Sequence, residues 1–187
     1  ECFEEYMDNY LATNPIKRFT MDLAPITRDR LTHRDGTNPL MFLNFKPEIR
    51  YTWVVDLSKP DDRMLADCEE TTRQAIRKLE ASDRYEFIEA QATKEDCETY
   101  IRLHKETYTR TGLTKYIIAD EYHYNMFMNL IPMGLCRIFF LKDKETADVV
   151  ATVSVLLYDN TAYYWWGDSR NEKEVGVNKY LLFKVIC

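Results

Sequence analysis

The sequence lacks several features that would assign a chain quickly to a class. It contains no run of about 18 apolar residues, so we expect no membrane-spanning helix. No basic segment followed by an apolar one opens the chain, so no secretory signal is predicted and the cytoplasm is the expected location. The first residue is Glu1 and not Met, which indicates a fragment or a processed product.

Histidine is scarce, and its spacing excludes a zinc site. The three histidines, His33, His104 and His123, are scattered along the chain, so no metal is predicted. His104 and His123 each lie on or beside an apolar stripe of a predicted helix. This placement favours hydrogen-bonded histidines in the core or at its boundary, with proton transfer as the alternative role.

Positive charge and paired cysteines are scarce as well. The formal net charge of -6 argues against binding a nucleic-acid backbone as the main role. The five cysteines form no C-x-x-C pair, and their number is odd. Reduced thiols in a reducing compartment are therefore the expected state.

What the chain does have is a long β-rich stretch, Gly134 to Asn178. Alternation near its start predicts one strand, and the apolar run from Val149 to Tyr158 predicts a central strand that is covered on both faces. Asp159 and Asn160 tolerate positive φ and predict a tight hairpin into a return strand, 162–167. An apolar helix, 179–186, is expected to follow.

The preceding chain predicts further elements. Apolar residues from Phe3 to Leu11 recur at helical spacing, whereas 16–47 shows little periodicity apart from a short strand at 40–45. The other predictions are a strand at 50–57, a helix that begins at Ser58 and carries an apolar stripe to Leu79, a strand at 85–90, and helices that begin near Thr93 and Asp120. We predict an N-terminal helix with an irregular segment over 1–49 and one domain over 50–187, whose core is 84–187.

Three basic residues lie off the stripe of the helix that begins at Ser58. Arg73, Arg77 and Lys78 are most simply explained as a solvated face that pairs with neighbouring glutamates. The alternative is a basic patch that faces an anionic substrate or cofactor.

The predicted order from Tyr85 onward is strand, helix, helix, three strands, turn and helix. This order is similar to the first two-thirds of the GNAT N-acetyltransferase fold, and the residues resemble the second domain of FemABX-like acyl- and aminoacyltransferases. The resembling stretches are RYTWVVDLSKPDDRMLADCEETTRQAIRK, YEFIEA, ETYIRLHKETYTRTGLT and TAYYWWGDSRNEKEVGVNKYLLFKVI.

The resemblance implies a mixed α/β sheet of the GNAT type that is incomplete at the C-terminus. Further strands would be expected after Cys187, and a naked sheet edge is normally avoided. A fragment is the simplest explanation; a partner, a swapped segment or the chain before Arg50 could also complete the sheet. Residues 1–49 would then be the remnant of a preceding GNAT-like domain.

The resemblance also implies a donor-binding turn before the last helix. GNAT proteins hold the pyrophosphate of acyl-CoA on the backbone of an R/Q-x-x-G-x-G/A turn, and 173–178 is similar, with Lys173 in place of Arg or Gln and Asn178 in place of the last small residue. Gly176 would let the backbone approach the ligand, or it is simply a loop glycine before a helix. The implied donor-binding residues are Lys173, Val175, Gly176, Val177 and Asn178, and the implied donor is acyl-CoA (acetyl-CoA) or, as in some FemABX-like proteins, aminoacyl-tRNA.

The reaction that the resemblance implies is transfer of an acyl or aminoacyl group to an amine. Tyr164, Asp168 and Glu172 are the candidates for proton transfer. Trp166, with Arg73 and Arg77, is a candidate for substrate binding. The implied acceptor is an amine on a small molecule, a glycan or a peptide, such as a cell-envelope precursor. A GNAT-like binding or assembly module without catalysis is the alternative, and the oligomeric state is left open.

Overall fold

A computed structural model describes residues 3–14, 41, 45–46, 52–170 and 176–187 of the chain. The chain divides into two units, 1–55 and 56–187. In the first unit, helix α1 (Phe3–Thr13) forms as the apolar spacing predicted, and the rings of Tyr6 and Tyr10 stack along it with centroids 6.0 Å apart. The role of 1–49 as the remnant of a preceding domain stays a prediction.

The second unit contains a four-stranded sheet and five helices within its described residues. Its elements are α2 (Asp61–Asp67), α3 (Glu70–Ser82), β1 (Tyr85–Glu89), α4 (Lys94–Arg110), a 3-10 turn (Thr114–Tyr116), α5 (Asp120–Asn125) with a π-helical continuation (Met126–Leu130), β2 (Cys136–Asp143), β3 (Val149–Tyr158), β4 (Thr161–Ser169) and α6 (Val177–Ile186). From β1 onward, this is the predicted order of elements.

The sheet is antiparallel throughout, in the order β1-β2-β3-β4. Asp159 and Asn160 adopt φ of 46° and 59°, which confirms the hairpin between β3 and β4. Ser154 of β3 lies opposite Trp166, whereas the next residue, Val155, lies opposite Tyr164. Trp165 is therefore the extra residue of a β-bulge, which changes the direction of the side chains that follow it.

Each face of the sheet carries a hydrophobic core, so β3 is covered on both sides as predicted. We call the cluster that includes α6 the α6-side core; its fully buried members include Ile76, Leu141 and Leu181. The cluster that includes α4 is the α4-side core; its buried members include Tyr100 and Phe127. Burial of such side chains contributes roughly 2 kcal/mol each to folding.

Two cysteines are buried in the α4-side core. Cys97 and Cys136 are 0% and 1% exposed, and both are free thiols. Burial raises the pKa of each thiol to about 11, so both stay protonated at neutral pH.

The strand predicted over 50–57 does not form within its described residues. Residues 52–56 pair with no strand in the described ranges, and Trp53 is 98% exposed. The alternation of apolar residues indicated an extended backbone, but a strand also requires a partner ladder. The strand predicted at 40–45 lies mostly outside the described residues.

The helix predicted from Ser58 is two helices. Pro60, and not Ser58, precedes the first helical turn, because Ser58 instead bonds through its amide and hydroxyl to Asp56 Oδ1, at 3.0 and 2.7 Å. An extended Glu69, with φ -56° and ψ 148°, separates α2 from α3. The guanidinium of Arg73 donates to the carbonyls of Ala66 (3.0 Å) and Cys68, which the end of α2 leaves without helical partners.

None of the helices in the described ranges combines the length and the apolar character that a membrane crossing requires.

Candidate functional site

The end of β4 is held by three side chains from one face of α4. His104, Thr107 and Arg110 follow one another at intervals of three residues, so they lie on the same side of the helix. They bond to the last two residues of β4, Asp168 and Ser169. We call Asp168 and Ser169 the β4 terminus; the unbroken chain leads from it into the turn before α6.

Asp168 is buried and paired with a buried histidine. Its carboxylate Oδ2 lies 3.2 Å from Nδ1 of His104, and the two residues are 1% and 0% exposed. On the other side of the ring, the amide of Ile118 donates to Nε2 at 3.3 Å. Since Nε2 accepts, the proton of a neutral ring lies on Nδ1, and His104 donates to Asp168.

Ser169 is fixed by both its backbone and its side chain. The hydroxyl of Thr107 donates to the carbonyl of Ser169 (3.0 Å) and accepts from its amide (2.9 Å). Arg110 Nη2 donates to the same carbonyl at 3.0 Å. Asn178, in the first turn of α6, donates to the Ser169 hydroxyl at 2.9 Å. The β4 terminus is thereby tied to α4 and to α6.

A second buried histidine lies against His104. The ring centroids of His104 and His123 are 4.7 Å apart, and both nitrogens of His123 lack a hydrogen-bond partner within the described part of the chain. Burial lowers the pKa of His123 to about 4, with a smaller contribution from His104, so its ring is neutral near pH 7. The buried hydroxyl of Thr152, opposite Asp168 in the sheet, is likewise unpaired in that part.

Aromatic rings surround this buried pair. Trp166 packs edge-on against Tyr122 and Trp165, with centroids at 5.7 and 5.1 Å, and against both histidines at 6.3 and 6.4 Å. Tyr122 and Trp165 are 43% and 41% exposed. The cluster therefore joins a buried polar interior to an aromatic surface.

Tyr164 is the most exposed of the predicted catalytic residues that the structure describes. Its side chain is 57% exposed, and desolvation, with a smaller contribution from the charge of Asp168, raises the pKa of its hydroxyl. That hydroxyl lies within clashing distance of where a Cβ at position 167 would be, so a side chain in place of Gly167 would displace the phenol. The phenol stays protonated near pH 7 and can act as a proton donor.

The predicted donor turn is described only at its end. Glu172, Lys173 and Val175 lie outside the described residues. Gly176 adopts a φ of 106°, and a Cβ there would lie 2.9 Å from Cβ of Ala75 on α3. Its lack of a side chain therefore serves close packing against α3 as well as the turn. Val177 is buried and is the first residue of α6.

The structure brings most of the described site candidates together and leaves two apart. Tyr164, Trp166 and Asp168 share β4, and Asn178 reaches the β4 terminus from α6. Arg73 instead binds the backbone of α2, and Arg77 is exposed on α3. The functional roles assigned to these residues stay predictions.

Thr107 and Arg110 were not singled out by the sequence, although a signal for them exists. Together with His104 they show a period of three on a helix whose other face is charged, which indicates a polar contact toward the core side. Their partner at 169 is about 60 residues away, so its identity required the fold. No group of three or more metal-ligating side chains occurs among the residues that the structure describes.

Comparison with known proteins places most of this unit in one family. Residues 66–187, more than half of the chain, match the family model described as the acetyltransferase (GNAT) domain. No curated protein matches the chain. The fold is similar to the crystal structure of FemX, with a TM-score of 0.60 and 14% identity, over 70% of this chain and 47% of that one.

A second solved structure shows the same fold. It is a conserved protein of unknown function from Bacteroides thetaiotaomicron VPI-5482, with a TM-score of 0.52 and 12% identity, covering 66% of this chain and 43% of the other. The chain thus spans less than half the length of either solved structure. At these identities the likeness shows the fold, which is the mixed α/β, FemABX-like GNAT fold that the sequence resemblance implied.

Proposed function

The chain belongs to the family of acetyltransferase (GNAT) domains, and from this membership we propose that it transfers an acyl or aminoacyl group to an amine. The observation that carries the proposal is the β4 terminus. It is fixed from both sides at the point where the chain leaves the sheet for the N-terminus of α6.

The start of α6 suits the anionic part of an acyl-CoA donor. The cap residue, Gly176, carries no side chain, so it places no side-chain oxygen on the first-turn amides of α6. Such amides, with the helix dipole, favour a phosphate. Lys173 would add a positive charge. Acyl-CoA, with acetyl-CoA as the first to test, is the proposed donor; aminoacyl-tRNA is the other, disfavoured by the net charge of -6.

The proposed chemistry divides proton transfer between two groups. The neutral amine attacks the thioester carbonyl carbon, and the tetrahedral intermediate collapses by breaking the carbon–sulfur bond. Tyr164, exposed and protonated, would give its proton to the leaving thiolate. Asp168 is too deeply buried to touch a diffusing amine, so we assign the proton of the attacking nitrogen to Glu172 and a supporting role to Asp168.

The proposed acceptor groove includes Trp166. Its partly exposed indole packs edge-on against Tyr122 and Trp165, which gives a rigid aromatic wall on the α4 side of the sheet. Arg73, committed to the backbone of α2, is not proposed as a substrate ligand, and an exposed Arg77 is weak support for one. The acceptor class is an amine on a small molecule, a glycan or a peptide, and the proposed location is the cytoplasm.

Calorimetric titration with coenzyme A and acetyl-coenzyme A tests this function. The wild-type chain should bind saturably, and Lys173→Ala should weaken binding about tenfold if one phosphate contact is lost. Lys184→Ala, at the other end of α6, is the matched control and should bind normally. A binding-competent wild type should then acylate an amine, and Tyr164→Phe should lower kcat. Absence of binding by the folded chain would exclude the acyl-CoA donor.

One observation favours a module without catalysis. The carboxylate at the end of β4, Asp168, is buried and bonded to His104, as expected of a structural pair. In that case coenzyme A would bind without turnover, and Tyr164→Phe would leave every measured property unchanged.

A further inference from the structure

His104 joins three parts of the unit by contacts on opposite sides of one ring. It belongs to α4, its Nδ1 reaches Asp168 of β4 at 3.2 Å, and its Nε2 accepts from the amide of Ile118 at 3.3 Å. Ile118 lies in the connection from α4 to α5, 111–119. The imidazole therefore bridges this connection and the β4 terminus and fixes the distance between them.

The ring of His104 is held in place because both of its nitrogens are hydrogen-bonded and neighbouring rings pack against it. One nitrogen accepts and the other donates, so the other tautomer would oppose two donors at Ile118 and two acceptors at Asp168. A flip of the ring would replace both nitrogens by C–H groups and break both hydrogen bonds. Tyr108 and His123 pack on it with centroids 4.5 and 4.7 Å away. Complete burial excludes water that could replace either hydrogen bond at low cost.

The two sides of the β4 terminus have separate supports. Ser169, from which the chain continues toward the donor turn, is held by Thr107, Arg110 and Asn178, and none of these bonds involves His104. The 111–119 connection is held to β4 through the ring of His104. Its exposed side chains, Leu113 and Tyr116 (45% and 56% exposed), are available to a second ligand.

We propose that His104 is a positioning residue that fixes the 111–119 connection, as one wall of the amine-acceptor site, against the end of β4. This inference rests on the proposed acyl-transfer function. Affinity for the acceptor then depends on His104, although its side chain touches neither substrate. Affinity for the donor depends instead on the contacts that hold Ser169.

The test compares two adjacent buried histidines. His104→Phe keeps an aromatic ring and removes both hydrogen bonds. His123→Phe is the matched control, because His123 is equally buried and makes no hydrogen bond in the described part of the chain. His104→Gln is the rescue variant, since its amide offers one donor and one acceptor. Each variant is examined for hydrogen exchange at the Ile118 amide, affinity for coenzyme A, and kcat and KM with an amine acceptor.

We expect His104→Phe to speed exchange at Ile118 and raise the acceptor KM roughly tenfold, the factor for one lost hydrogen bond, with coenzyme A affinity within twofold of wild type. His104→Gln should recover most of both changes, and His123→Phe should show neither. If His104→Phe does not fold, the wild type and His104→Gln are used instead. The exchange rate of the Ile118 amide is then compared with that of the Leu113 amide, and slower exchange at Ile118 shows that its hydrogen bond protects it.

Three results would overturn the inference. The first is unprotected or unchanged exchange at Ile118, and the second is faster exchange with an unaltered acceptor KM. The third is that His104→Phe and His123→Phe change exchange and acceptor KM equally, which would mean that the effect comes from any substitution in this core and not from the hydrogen bonds of His104. A wild type that exchanges as expected but acylates no amine would instead refute the proposed function, and the acceptor role of His104 with it.

Discussion

Gly176 and Gly134 both adopt positive φ, but only Gly176 is also packed against another element. Its φ is 106°, and the position of its absent Cβ is 2.9 Å from Ala75. Gly134 has a φ of 69° and no atom within 4 Å of that position. The pair therefore separates the cost of backbone strain from the cost of a steric clash.

Gly176→Ala should destabilise the chain by about 2–3 kcal/mol, because strain and clash add. Gly134→Ala should cost only the strain, about 1 kcal/mol. Urea denaturation of both variants measures the difference. Equal losses would show that α3 can move away from position 176 without cost.

His123 should make stability depend on pH. Its pKa is about 4 in the folded chain and about 6.5 when unfolded, because burial outweighs the opposing charges of Asp168 and Asp120. Above pH 6.5 neither state binds the proton and His123 has no effect. As the pH falls from 6.5 to 4, the unfolded state gains a proton that the folded state does not, so stability falls.

Denaturation curves at several pH values test this titration. Between pH 7 and pH 5 the wild type should lose about 2 kcal/mol that His123→Phe does not lose. The two curves should run parallel above pH 7. Parallel curves down to pH 5 as well would mean that the ring is protonated or hydrated in the folded chain.

Among the secondary-structure elements, α4 supplies three of the four side chains that hold the end of β4, and α6 supplies the fourth. Thr107 contributes two hydrogen bonds to one residue of the strand. Its neighbour Thr109 is exposed and on the outer side of the helix, so it serves as a reference for the helix propensity of valine.

Thr107→Val should cost about 1–3 kcal/mol more stability than Thr109→Val, because it leaves both backbone groups of Ser169 without the hydroxyl. If the donor binds beside this residue, Thr107→Val should also weaken binding of coenzyme A. Thermal unfolding and calorimetry measure the two effects. Equal stability and equal binding of the two valine variants would show that the hydrogen bonds between Thr107 and Ser169 do not contribute.

Local patterns were sufficient for the elements whose partners lie close in the chain. The β3–β4 hairpin follows from two residues that tolerate positive φ between apolar strands, and its register needs little else. The apolar stripe of α2 and α3 was recognised, but the break at Glu69 was not. That break depends on Arg73 reaching back to carbonyls five and seven residues earlier, which no periodicity records.

The site shows the same division between local and distant contacts. Asp168 and Trp166 were selected from the resemblance, the first for its place near the end of the sheet and the second as part of a groove, and in the structure both contact His104. The partner of Asp168 could not be selected, since His104 lies 64 residues earlier and carries no motif. The bulge at Trp165 reverses the alternation in mid-strand, and it could not be recognised within a run of six consecutive aromatic and small residues, 162–167.

At the scale of the whole molecule, every described strand and both hydrophobic cores lie within 56–187. A unit with its own two-sided core is expected to fold cooperatively without the rest of the chain. The likeness to GNAT domains begins within this unit, at residue 66.

Deletion of 1–55 should therefore leave a folded protein with a melting temperature within a few degrees of the full chain. Near-ultraviolet circular dichroism should keep the signal of Trp165 and Trp166 in their packed cluster. Loss of the cooperative transition would instead show that 1–55 contributes to the stability of the unit.

The burial of Cys97 and Cys136 allows transient opening of the α4-side core to be measured by chemical modification of their thiols. A thiol-specific reagent reacts with Cys187 at the surface, whereas the sulfurs of Cys97 and Cys136 are inaccessible and, at a pKa of about 11, almost wholly protonated. Their rate of modification under native conditions would report how often this core opens. A donor or acceptor that binds beside β4 would lower the rate of modification of these thiols in proportion to its occupancy, and no label would have to be engineered.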